Sequence, residues 1–151
     1  MRDGDLVNQA RAKDLNTVEL NLPARLESLG VVEACITALL VQEPHLNDWE
    51  ARTFEVILAV HETCTNIIEH AYQDSPGRME LALTFLDQPR RLEVRLRDTG
   101  TAFDLAAVPA PNLEEAHTGG YGLFLIHRLM DEVAYTPEQG NNRWRLVKRL
   151  E

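Results

Sequence analysis

Residues 97–104 read RDTGTAFD and residues 117–130 read HTGGYGLFLIHRLM, and these two segments constrain the fold more than any other part of the chain. A strand-like run ends on Asp98 and Gly100, and a second glycine cluster, Gly119, Gly120 and Gly122, opens an apolar helix. Glycine ahead of a helix lets backbone approach a ligand closely, and the exposed N–H groups of a helix start favour phosphate. The two segments together predict a nucleotide pocket, built where a strand ends and a helix begins.

The rest of the chain limits what that pocket can belong to. With 151 residues, 44% of them hydrophobic, the sequence fits one domain with a sizeable core. No apolar run approaches the roughly 20 residues a bilayer span needs, and the start, MRDGDLVNQARAKD, has no signal-peptide core, so a cytoplasmic location is expected. Cys35 and Cys64 each fall in a helical pattern and read as reduced core thiols, with no disulfide framework or metal cluster.

A formal charge of −9 argues against nucleic acid as a direct partner, because that binding neutralises phosphates with Lys and Arg. The charge is unevenly spread: residues 1–75 hold 13 acids and 5 bases, residues 76–151 hold 11 and 10. Eight of the bases sit in two strand-like stretches, Arg90 to Arg97 and Arg143 to Arg149. They read either as solvated strand faces or as a docking surface for an acidic partner.

Taken in order, residues 1–13 show no periodicity and read as a flexible lead-in to a single domain over residues 14–151. Thr17 to Leu20 make a short strand. Leu26, Leu29, Val32, Ile36, Leu39 and Leu40 recur at helical spacing within 24–41, with Pro23 suited to the first turn. After Pro44, Asn47 or Asp48 can cap a second helix reaching about Tyr72, with Phe54, Ile57, Val60, Cys64, Ile67, Ile68 and Ala71 on its apolar side. Ser75-Pro76-Gly77 breaks it. Strands over 79–86 and 92–97 form a hairpin, and a helix over 121–130 and strands over 132–136 and 143–149 complete the chain. This order predicts an α/β arrangement, an α+β two-layer sandwich with helices on one face of a mixed sheet.

The second helix carries HETCTNIIEHAY, where Glu62 and Asn66 lie one turn apart and can aim a carboxylate and an amide oxygen into one pocket. The helical wheel puts Glu55, Glu62, Asn66 and Glu69 opposite the apolar stripe, so a solvated face explains them equally well. Asp-Thr-Gly after a strand is also ordinary turn chemistry, and the glycine cluster alone reads equally as a helix entry loop.

The three segments occur in one order and at one spacing, and in this the chain resembles the GHKL ATPases, most closely the RsbW-like anti-sigma-factor serine/threonine kinases. The resemblance runs from about Asn16 to Leu150. It rests on E-x-x-x-N at Glu62 to Asn66, D-x-G-x-x-F-D at Asp98 to Asp104, and G-G-x-G-L-x-L-I at Gly119 to Ile126. The tails LMDEVAY (129–135) and RWRLVKRL (143–150) are similar to that subgroup as well.

The resemblance implies a Bergerat ATP-binding fold and ATP and Mg²⁺ as cofactors. It implies Asn66 as the magnesium ligand and Glu62 as the catalytic base toward a serine hydroxyl, while Asp98 receives the adenine amino group and Gly100 keeps that wall open. Phe103, Gly119, Gly120, Gly122 and Leu123 complete the implied nucleotide site. The implied partners are an anti-sigma-factor antagonist as phosphorylation substrate and a sigma factor, with a homodimer possible and no membrane. Two other readings stand beside it: a non-catalytic nucleotide-binding partner-switching module, and a detached histidine-kinase ATPase domain. No Lys or Arg lies between Arg97 and Arg128, and within the loop from Leu105 to Thr118 His117 is the only candidate cation. His70 and Tyr72 read as closing the second helix.

Overall fold

The computed structural model describes residues 16–43, 45–104 and 121–151. In chain order the elements are β1 (Thr17–Pro23), a 3₁₀ turn (Leu26–Ser28), α1 (Leu29–Leu40) and α2 (Trp49–Asn66), which continues as a π-helical turn (Ile67–Ala71). They are followed by β2 (Arg78–Asp87), β3 (Arg90–Asp98), α3 (Tyr121–Leu129), β4 (Glu132–Thr136) and β5 (Asn142–Arg149). The strands form one sheet in the order β1-β2-β3-β5-β4.

Every neighbouring pair in that sheet is antiparallel, which corrects the mixed sheet expected from the sequence. The reason is where β5 goes. The crossover through α3 returns β4 in the direction of β3, but β5 turns back from β4 and inserts between the two, so the co-directional strands never touch.

Alternation along the strands gives the sheet one apolar face. Leu81 and Leu83 of β2, Leu92, Val94 and Leu96 of β3, and Trp144 and Leu146 of β5 are buried there. Val32, Ile36 and Leu40 of α1, Val56, Ala59, Val60 and Cys64 of α2, and Ile126 of α3 join them in one continuous core, so all three helices lie on this face. Burial pushes the Cys64 thiol up to about 12 and leaves it inert, as a core cysteine.

Three local expectations shift. β1 runs on through Pro23, which pairs with Arg78 on an edge strand, where a residue without an N–H is tolerated, and α1 accordingly begins at Leu29. Leu26, in the preceding turn, is 59% exposed. On α2 the core position of the first turns belongs to Thr53, and the neighbouring Phe54 is left 64% exposed. Asp48 is the N-cap residue, but in a left-handed conformation at φ 54° and without a side-chain cap bond.

The opposite sheet face carries the arginines. The β3/β5 register sets Arg95 against Arg145 and Arg97 against Arg143, like charges directly across, which is unfavourable unless compensated. Glu93 compensates from beneath: only 3% exposed, it accepts hydrogen bonds from Arg95 Nε at 2.6 Å and Arg145 Nε at 2.9 Å. Burial alone would raise its pKa, but these hydrogen bonds and charges outweigh it and hold the carboxyl below the ordinary glutamate range. Lys148 departs from the solvated-strand reading. It lies on the helix face, buried, donating to Leu129 O at 2.6 Å and pairing with Glu55 at 2.7 Å, so it ties the end of α3 to α2.

These placements set a contrast in stability. Leu96→Ala empties a core position on the central strand and should cost about 2–5 kcal/mol. Phe54→Ala removes a surface ring and should stay within about 0.5 kcal/mol of the parent. Urea unfolding of the two variants checks both.

Candidate functional site

The end of α2, the end of β3 and the start of α3 converge on the helix side of the sheet. α2 is covered on two sides: its apolar stripe meets the sheet, and α3 packs beside it, so Glu62 and Asn66 are half-buried rather than on a solvated face. Glu55 is half-buried as well, against Lys148, and of that polar row Glu69 alone is exposed. The fit at Gly122 is close, since a Cβ built there would lie 2.6 Å from Glu62 Oε2 and 3.8 Å from Asn66 Oδ1. The glycine thus lets the first described turn of α3 rest on the two polar side chains.

The second wall follows from β3. Asp98 continues the inward alternation of Leu92, Val94 and Leu96, so its carboxylate points into the helix layer and is 2% exposed. Its Oδ1 accepts hydrogen bonds from Gly100 N at 2.9 Å and Asn142 Nδ2 at 2.9 Å. Burial raises its pKa above the ordinary aspartate value, with those two hydrogen bonds and the Arg97 charge acting the other way. Gly100 presses on the end of α2, where a Cβ would come 2.4 Å from the carbonyl oxygen of Ala71, and Thr101 N donates to that same oxygen at 2.8 Å.

Aromatic residues carry the chain onward. Phe103 is half-buried between His70, with ring centroids 5.0 Å apart, and Tyr135 at 6.3 Å, and Tyr135 stacks on Trp144 at 4.4 Å. Tyr135 OH accepts from Phe103 N at 2.8 Å. Tyr72 closes α2 as expected: its hydroxyl donates to Arg78 O at 2.6 Å and accepts from Thr99 N at 3.0 Å.

Of the residues singled out from the sequence, Glu62, Asn66, Asp98, Gly100, Phe103, Gly122 and Leu123 are described and border this region, Leu123 packing against the core. Gly119, Gly120, His117 and the segment 105–118 lie outside the described residues. Sequence reasoning missed Asn142 and the role of Tyr135. Asn142 sits in Gly140-Asn141-Asn142, where asparagine reads as turn chemistry, and nothing in its neighbourhood signals a buried partner.

The donor set suits magnesium. Asn66 and Glu62 offer hard oxygens. Among the described residues Asn66 Nδ2 is buried with no hydrogen-bond partner, a donor that an oxygen of a bound anionic ligand, and not the metal, would satisfy. Among the described residues no group of three His, Cys, Asp or Glu could hold a metal by itself. That also fits, because Mg²⁺ is commonly held by one or two protein ligands together with substrate phosphates. A concavity of about 750 Å³ on the other side of the sheet, walled by Arg95, Arg97, Arg143 and Arg145, is separated from this site by the sheet itself.

A two-layer sandwich with its polar pocket between helix ends and strand ends is the architecture of a nucleotide-binding ATPase domain. The chain belongs to the histidine kinase-like ATPase domain family, whose model matches residues 22–148. Among characterised relatives it is similar to the serine-protein kinase RsbW of Halalkalibacterium halodurans, 32% identical over 141 residues that cover 86% of this chain and 82% of that protein. The RsbW of Bacillus velezensis is 30% identical over 131 residues, covering 82% and 79%. Solved structures share the fold. The SiaB–SiaC complex from Pseudomonas aeruginosa matches with a TM-score of 0.66 at 17% identity, covering 95% of this chain and 96% of that one. The RsbU and RsbW domains of a Mycobacterium tuberculosis protein match at 0.64 and 18%, covering 89% of this chain and 32% of that longer one.

Two measurements test the geometry. Gly100→Ala forces a methyl into the Ala71 carbonyl and should cost about 1–3 kcal/mol in chemical denaturation. Asp98→Asn tests the buried charge. A carboxyl with a raised folded pKa favours folding when protonated, and that advantage is lost as pH rises from the ordinary aspartate value through the raised one. The melting temperature of Asp98→Asn minus that of the parent should therefore increase across that window, and a difference independent of pH would contradict it.

Proposed function

We propose that this protein is an ATP-dependent serine/threonine protein kinase that acts as an anti-sigma factor, phosphorylating a small anti-sigma-factor antagonist and sequestering a sigma factor. The observation that carries this reading is the seating of Gly122 on Glu62 and Asn66, which puts a carboxylate, an amide and the first described turn of α3 in one place. The RsbW relatives are named as serine-protein kinases, which supports the reaction class.

In this reading each residue has a task. Asn66 holds Mg²⁺ through its amide oxygen. Glu62 accepts the proton of the substrate hydroxyl and orients it, a contribution that is typically about 10² to 10⁴-fold. Asp98 accepts the adenine amino group, Gly100 and Phe103 shape the base wall, and Gly119, Gly120, Gly122 and Leu123 bring backbone N–H groups to the phosphates. Mg-ATP, when bound, supplies a transferable phosphoryl group with its charge partly neutralised. The protein positions and stabilises, as phosphoryl transfer requires.

The domain spans residues 14–151 and works in the cytoplasm. Among the described residues no helix is long and apolar enough to cross a membrane. Glu62 separates a kinase from a module that merely binds nucleotide, since binding alone needs no proton acceptor.

The test is phosphate transfer from radiolabelled ATP to an anti-sigma-factor antagonist protein, at matched nucleotide occupancy. Glu62→Gln should hold Mg-ATP nearly as the parent does and lose at least about 100-fold in transfer rate. Asn66→Ala should bind ATP weakly and with little dependence on magnesium, as titration calorimetry would read. Equal transfer by Glu62→Gln and parent would remove Glu62 from the mechanism, and no transfer by the parent would leave a binding module.

A further inference from the structure

Asn142 is fully buried at the first position of β5, directly across the ladder from Asp98 and on the same helix-facing side of the sheet. Nδ2 donates both to Asp98 Oδ1 at 2.9 Å and to Gly100 O at 3.0 Å, while Oδ1 accepts from Glu138 N at 3.1 Å. Every hydrogen-bonding direction the amide needs is therefore used, and its rotation is fixed. With Gly100 N also on Oδ1, one oxygen of the Asp98 carboxylate is engaged twice. Among the described residues Oδ2 has no hydrogen-bond partner.

That asymmetry bears on which purine the pocket accepts. Adenine presents an amino donor at position 6, whereas guanine and hypoxanthine present a keto oxygen there. An ionised carboxylate only accepts, but a protonated one can donate to a keto group. Desolvation pulls a buried aspartate toward the protonated form, and a donor fixed on its other oxygen holds it ionised. We infer that Asn142 is the residue that sets the purine choice of this pocket: by donating to Asp98 Oδ1 it keeps Asp98 an acceptor, aimed through Oδ2, so that an amino-bearing base is taken and a keto-bearing base refused.

Asn142 acts through Asp98 and touches no reacting atom, so it is a positioning residue, and its role rests on the nucleotide reading of the pocket. The experiment is equilibrium titration of the intact protein with ATP and with inosine triphosphate, both in excess Mg²⁺, for the parent and Asn142→Leu. The parent should prefer ATP by about tenfold or more, the scale of one hydrogen bond to a charged group. Asn142→Leu should bring the two affinities to within about threefold, with the magnesium requirement unchanged. A residue with a merely structural role would weaken both nucleotides alike, and that result, or an undiminished ATP preference, would overturn the inference. A parent that binds neither nucleotide would instead sink the reading of the pocket and the inference with it. Should Asn142→Leu not fold, the side-chain amide resonances of Asn142 in the parent decide: ATP should shift them and magnesium tripolyphosphate should not. Resonances that ATP leaves unmoved would equally overturn the assignment.

Discussion

The site depends on how closely β3 can approach the end of α2. Gly100 passes against the Ala71 carbonyl at a distance no side chain would allow, and Thr101 N then bonds the same oxygen. This contact decides where the strand stops and where its last inward residue, Asp98, is held. A strand end displaced by about 1 Å would carry the carboxylate out of hydrogen-bond reach of Asn142, and Phe103 away from the Tyr135 hydroxyl.

Packing and polarity are linked through α2. One side of the helix contributes Val56, Val60 and Cys64 to the core, and another lies beneath α3, so the same rigid element anchors the domain and presents Glu62 and Asn66. Such rigid mounting keeps the carboxylate and the amide in register with each other. Lys148 strengthens the arrangement from below, since its ammonium joins the Leu129 carbonyl of α3 and the Glu55 carboxylate of α2. The two helices that flank the candidate site thus share one buried cation.

Much of this was legible in the sequence. The helical spacing of Val32, Ile36 and Leu40 and the alternation of Leu92, Val94 and Leu96 located α1 and β3, because burial on one face is a local pattern. Glu62, Asn66 and Gly122 could be named because their spacing matches a family, but their meeting could not be read locally: it depends on α3 returning from a distant part of the chain. For the same reason the wheel left Glu62 and Asn66 on a solvated face, since a wheel shows one stripe and α2 packs against α1 and α3 as well as the sheet. Asn142 was invisible because its role is a cross-strand pairing with Asp98, 44 positions away, written in a turn that looks ordinary. The mixed sheet failed likewise, on the place of β5, a matter of tertiary order rather than of strand pattern.

The π-helical turn at Ile67–Ala71 carries a further consequence. Tyr72 N reaches back to Ile67 O at 3.1 Å and Asp74 N to Ile68 O at 3.1 Å, so the turn is wider than the helix before it. That widening amounts to one extra residue, and each residue of an α-helix turns the chain by about 100°. The segment therefore works as a phase adjuster between Asn66, which faces α3, and Ala71, whose carbonyl must face Gly100. Were the same residues wound as a regular α-helix, every motif would stand unchanged, yet the Ala71 carbonyl would turn by about 100° from the strand it receives. The contact with Gly100 is thus written in the hydrogen-bond pattern of a single turn.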